Sequence, residues 1–195
     1  MKKTTNTITG AQTASKGASC CFVAGTPILL ASGEEVAIDT LVEKTDSIVA
    51  CPEGVFNRIA RPSVRENDNS VYRIITADGR ALTVTEFHPM LVKSPSGYRI
   101  IPANILRKGQ LLRCASGFDR KEDYVAIKRI EVIPHRGNVY NVALVGQDLV
   151  SRHLLIANGI ITGDLVLQAT MVRRFAIQAF AHRRGTEATS SISIH

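Results

Sequence analysis

"VYRIITADGRALTVTEFHP" runs from Val71 to Pro89, and its reading decides the fold. It holds an apolar β-branched run, the turn residues Ala77-Asp78-Gly79, and a second run that alternates apolar with polar residues. Thr85 and His88 then follow, three positions apart. Val, Ile, Thr and Tyr suit a pleated backbone, and Asp-Gly supplies the positive φ that a tight hairpin turn needs. The predicted unit is a β-hairpin whose second strand delivers two polar side chains into a loop, with Pro89 fixing the chain just beyond His88.

The same texture extends in both directions. "PILLASGEEVAI", "SIVACPEGVF", "PMLVKSPSGYRII", "QLLRCASG", "YVAIKRIEVIP" and "NVYNVALVGQDLVSRHLLIANGIIT" are short runs rich in Val, Ile, Leu, Thr and Tyr. Turn chemistry separates them at 32–34, 52–54, 77–79, 94–97 and 158–159. Period-3.6 patterning is missing before the C-terminus, so the predicted core is all-β. It carries single helical turns around Ile38–Glu43 and Ala103–Lys108. Residues 1–20 are rich in Thr, Ser, Gly, Lys and Ala and form a predicted disordered leader. Residues 165–195 hold a basic amphipathic helix (165–184) and a tail. That helix reads either as packing on the β core or another chain, or as a membrane-surface segment.

Bulk properties exclude several classes. With 45% hydrophobic and 21% charged residues the chain is an ordinary globular one. Much of the net charge of +7 lies in the two tails, and there is no Trp, so no nucleic-acid partner is expected. The cysteines at 20, 21, 51 and 114 lack paired metal-ligand spacing; no metal or cofactor is expected, and Cys51 and Cys114 read as core residues. Neither a Sec-type hydrophobic segment nor a spanning run is present in the sequence. A cytoplasmic product is the default expectation, with export by another route left open.

Three clusters carry candidate chemistry: "CFVAGTPI" from Cys21, "TEFHP" from Thr85, and "VYNVAL" with "HLLIANGIITGD" from Val139 to Asp164. In this order and at these separations they resemble the Hint (Hedgehog/intein) superfamily of self-processing domains, over roughly residues 21–164. The resemblance implies a horseshoe of twisted β-strands, here with a C-terminal helix appended, and makes the chain's own flanking polypeptide its substrate. Cys21 is then the nucleophile and the Cys20 carbonyl its electrophile. The nitrogen of Cys21 leaves in an N–S acyl shift, Thr85 bonds the scissile peptide, and His88 protonates the leaving nitrogen. His153 takes the place of a histidine that assists at the C-terminal junction, and Asp164 that of the terminal residue. Asp46 matches a structural turn, and the Cys20 side chain is incidental.

The pattern is also broken. Where splicing members end in His-Asn followed by a nucleophile, this chain has Gly163, Asp164 and Leu165. An Asn side chain cyclises through its amide nitrogen, whereas a carboxylate must pass through an anhydride; Gly163 brings no imidazole, and Leu165 cannot accept an acyl group. Only about 50 residues separate His88 from Val139, too few for an inserted endonuclease. The expected function is therefore intein-like thioester cleavage at Cys20–Cys21 without full splicing, with water or a small nucleophile as acyl acceptor. It would be a single-turnover cis reaction. The alternatives are a degenerate Hint fold serving as a structural or interaction module, and a trans-acting cysteine hydrolase using Cys21 and His88.

Overall fold

A computed structural model describes residues 21–44, 47–116, 121–146 and 150–173. The leader, Cys20, Asp46 and the part of the expected helix beyond residue 173 lie outside the described residues. Strand β1 (Phe22–Val23) leads through a turn at Gly25, φ +76°, into β2 (Pro27–Leu29) and β3 (Glu35–Ala37). The one-turn helix α1 (Ile38–Leu41) follows, then β4 (Ile48–Ala50) and the long β5 (Phe56–Asn67). β6 (Val71–Thr76) and β7 (Ala81–Val84) form the hairpin expected around the Asp78-Gly79 turn, with Ile74 opposite Leu82. A second hairpin joins β8 (Pro89–Ser94) to β9 (Gly97–Pro102), and a 3-10 turn at Ala103–Ile105 precedes β10 (Leu111–Ser116). The chain closes with β11 (Lys121–Ile133), β12 (Gly137–Leu144), and the β13 (Leu154–Ala157) and β14 (Ile160–Gly163) hairpin, whose Asn158-Gly159 turn was also expected. Helix α2 occupies residues 165–173.

The strands follow one antiparallel path, β3-β2-β13-β14-β8-β10-β11-β6-β7-β1-β12-β5-β4, with β9 beside β8. β11 joins its two halves: Lys121–Ala126 pairs with β10, and Ile127–Ile133 pairs with β6. The ends of the path meet where Leu30 bridges Val49 and the Ala31 N–H donates to the Ile48 carbonyl at 2.9 Å. A sheet curled this far encloses its own core, built from residues such as Phe22, Ile28, Ile74, Leu82, Leu112 and Leu155. A second cluster gathers Ala50, Leu91, Ala115, Leu154, Ile156 and Ile161 around Leu167 of α2. Of the two readings of the expected helix, packing on the β core describes residues 165–173. No helix among the described residues is long and apolar enough to cross a membrane.

β5 was not legible in the sequence. Its exposed Arg58, Arg61, Arg65 and Glu66 and its central Pro62 hide the strand pattern. It pairs with β12 from Ile59 to Asn67, while β4 covers only Phe56–Arg58. Proline is tolerated where one side of the strand has no ladder to donate into.

Candidate active site

β1 is two residues long, yet it lies between β7 and β12, so Cys21, which leads into it, sits in the interior of the sheet. Cys21 is buried there. Its backbone faces β7: the Cys21 N–H donates to Thr85 Oγ1 at 2.8 Å, and the Thr85 N–H donates to the Cys21 carbonyl at 2.9 Å. Thr85 therefore bonds residue 21 twice, once through its backbone and once as a side-chain acceptor.

The chain then turns sharply. The His88 N–H donates to the Thr85 carbonyl at 3.2 Å, which brings residue 88 back over residue 85. The 3-10 turn pins this loop from outside, with Ala103 N–H to the His88 carbonyl (3.0 Å) and Asn104 N–H to the Glu86 carbonyl (2.9 Å). Thr162 Oγ1 of β14 donates to the Pro89 carbonyl at 2.7 Å. The His88 ring meets the Phe22 ring edge-on, centroids 4.4 Å apart, which sets the imidazole against the residue that follows Cys21. Thus the structure brings Cys21, Thr85 and His88 into one buried group.

Burial pushes the His88 imidazole well below its ordinary range, to about 3. The ring is neutral at pH 7, and a proton placed on it is quick to leave. This has a stability consequence with a definite sign. As pH falls from about 6.5 towards 3, the unfolded chain binds a proton at residue 88 that the folded chain refuses, so stability falls with pH across that window. Each pH unit is worth up to ~1.4 kcal/mol. Between pH 6.5 and 4.5 the wild type is expected to lose roughly 2 kcal/mol more than His88→Gln, read from denaturant midpoints at the two pH values.

His153 and Asp164 form a second buried group. Asp164 Oδ2 is hydrogen-bonded to His153 Nδ1 at 2.9 Å and accepts the Leu144 N–H at 2.8 Å. Its Oδ1 accepts the N–H groups of Val166 and Leu167, both at 2.9 Å. That is the geometry of a helix N-cap, and Asp164 starts α2. Burial pushes its carboxyl above the usual range, more than the bonds from Leu144, Leu167 and His153 bring it down. Among the described residues no group of three His, Cys, Asp or Glu side chains could hold a metal ion.

The overall path of the chain has clear counterparts among solved structures. It is similar to an intein from a hyperthermophile, at 20% identity and a TM-score of 0.64, over 75% of this chain and 100% of that one. The DnaB intein from Synechocystis sp. PCC 6803 matches at 20% identity and a TM-score of 0.60, over 75% and 99%. The TvoVMA intein matches at 18% and 0.65, over 73% and 96%. The fold is the Hint fold of the inteins. No family model and no curated protein matches the sequence.

Within this Hint fold the last strand ends differently from the spliced pattern that the sequence resembles. A Cβ added at Gly163 would stand 2.7 Å from Leu167 Cδ2 and 2.8 Å from Pro89 Cβ. The space where a histidine side chain would begin is filled by α2 on one side and by the residue after His88 on the other. Gly163→Ala is expected to destabilise by about 1–3 kcal/mol, because proline cannot yield, and its thermal midpoint should fall accordingly.

One buried polar residue had no role in the sequence reading. Asn141 of β12 is fully buried, and its Oδ1 accepts the Val142 N–H at 2.8 Å. Its signal was a lone amide inside the apolar run "VYNVAL".

Proposed function

We propose that this chain is a self-processing Hint domain that cuts its own backbone between Cys20 and Cys21. The observation that carries the reading is the 2.8 Å bond from the Cys21 N–H to Thr85 Oγ1, made on the peptide to be broken and beside the buried His88. In this account neutral His88 takes the proton of the Cys21 thiol. The sulfur attacks the Cys20 carbonyl carbon, and a tetrahedral oxyanion forms. The C–N bond breaks as the His88 imidazolium returns the proton to the nitrogen. Burial makes that imidazolium a strong acid, which suits a poor leaving group. The product is a thioester on Cys21, released by water or another small nucleophile, and the substrate is the chain's own flanking polypeptide.

The reaction stops there. Asp164 already accepts three backbone N–H groups and bonds His153 as the cap of α2, Gly163 has no space for a side chain, and Leu165 cannot accept an acyl group. Splicing is not expected. The second reading, an inactive Hint module serving in structure or interaction, draws on the same joint, since α2 is fused into the core through Leu167. Intact-mass measurement separates them. Hydroxylamine should convert the full chain into a residue 1–20 fragment ending in a hydroxamate and a chain beginning at Cys21. A full chain that survives prolonged hydroxylamine rejects self-cleavage.

A further inference from the structure

β1 has a partner on each side. Phe22 stands opposite Tyr140 and Val23 opposite Val139 on β12, and one more step of that register sets Cys21 opposite Asn141. On the other flank Phe22 stands opposite Val84, and the next step sets Cys21 opposite Thr85. Directly opposed residues of antiparallel strands project to the same face. Thr85, Cys21 and Asn141 therefore make a row across three strands, and all three are buried.

Two directional facts give the row chemical meaning. The Cys21 N–H points to β7, because Thr85 Oγ1 receives it. In a trans peptide the carbonyl oxygen lies opposite the N–H, so a trans bond before Cys21 would turn the carbonyl to be attacked towards the other neighbour, β12. The Asn141 side chain is also oriented. Only its oxygen can receive the Val142 N–H, so the nitrogen end of the carboxamide is turned away from that bond as a donor.

We propose that the Asn141 carboxamide N–H is the oxyanion donor for the acyl shift, hydrogen-bonding the oxygen of the Cys20 carbonyl. This rests on the self-cleavage reading above. As the Cys21 sulfur adds to the carbonyl carbon, the C=O electron pair moves onto that oxygen and the Asn141 N–H stabilises it. When the pair returns, the C–N bond breaks and the nitrogen leaves with the proton that His88 carries. Thr85 and Asn141 then hold the two ends of one peptide from opposite strands, the nitrogen from β7 and the oxygen from β12.

The test follows hydroxylamine cleavage of the full chain by intact mass in the wild type, Cys21→Ala, Asn141→Leu and Asn141→Asp. Asn141→Leu matches the volume without a donor and is expected to slow cleavage by about 10²–10³, with a thermal midpoint lowered by the loss of the acceptor for the Val142 N–H. Asn141→Asp keeps an acceptor for Val142. Its carboxylate repels an oxyanion, while its protonated form donates, so its rate relative to the wild type should rise from pH 8 towards pH 5. A merely structural role would not produce that profile. If Asn141→Leu cleaves at the wild-type rate while Cys21→Ala stays whole, the oxyanion role is overturned and self-cleavage stands. If the wild type itself stays whole, both fall. Should Asn141→Leu lose its folding transition, the Asn141→Asp profile decides: a ratio constant with pH overturns the role.

Discussion

Cys21→Ala is expected to keep residues 1–20 attached indefinitely, whereas the wild type releases them in hydroxylamine. The substitution deletes one buried sulfur, whose loss should lower stability by only ~1 kcal/mol, because the Thr85 bonds to residue 21 are made by the backbone. The fold is thus preserved while the attacking atom is gone, and uncatalysed amide hydrolysis does not compete on the timescale of an experiment. His88→Ala should lie between the two. Its sulfur remains, but nothing in the pocket takes the thiol proton or returns it to the nitrogen, a role worth about 10²–10⁴ in rate. Intact mass over time reads all three chains in one series. A wild type that stays as whole as Cys21→Ala would show that the buried Cys21, Thr85 and His88 group serves only packing.

Asp164→Ala should produce the largest loss of stability. One carboxyl group satisfies the N–H groups of Leu144, Val166 and Leu167 and is hydrogen-bonded to His153, all within 3 Å. Alanine leaves those groups buried or partly buried without their acceptor, at about 1–3 kcal/mol for each fully buried one, and removes the cap of α2. Neighbouring losses do not add in full, so roughly 3–5 kcal/mol is expected. For a domain of this length that lowers the thermal midpoint by about 10 °C, measurable by calorimetry. Asp164→Asn is an informative companion. It supplies the amide nitrogen that cyclisation uses, yet an NH2 group placed among these donors faces N–H against N–H. It should cost less stability than alanine and still leave the bond between residues 164 and 165 whole. Release of a C-terminal fragment from either chain would contradict the assignment of Asp164 to the cap.

Much of the architecture could be read locally. The Asp78-Gly79 and Asn158-Gly159 turns, the flanking β-branched runs, the helical turns near residues 38 and 103 and the helical start at residue 165 each announce themselves within a few positions. Turn chemistry and side-chain branching act over that range. β5 escaped because a strand exposed along much of its length has no alternation to enforce, and because its Pro62 has meaning only once its neighbours are known. Asp164 was read in the sequence only as the residue that ends the stretch resembling the last splicing block, and its place as the cap of α2 was not read. Bonds converging on it from β12, His153 and α2 exist only in the folded chain.

The linear order of residues by itself determined that the chain builds short strands with tight turns, that Cys21 opens the first of them, and that Thr85 and His88 share one loop. Those properties depend on backbone preferences and on neighbours in the chain. Only the tertiary structure decided that Thr85 receives the Cys21 N–H across 64 positions, that Asn141 stands in the same row from the opposite strand, and that His88 is stripped of water until its charged form is disfavoured. Register and desolvation are set by which strands lie side by side, and no window of sequence contains that information.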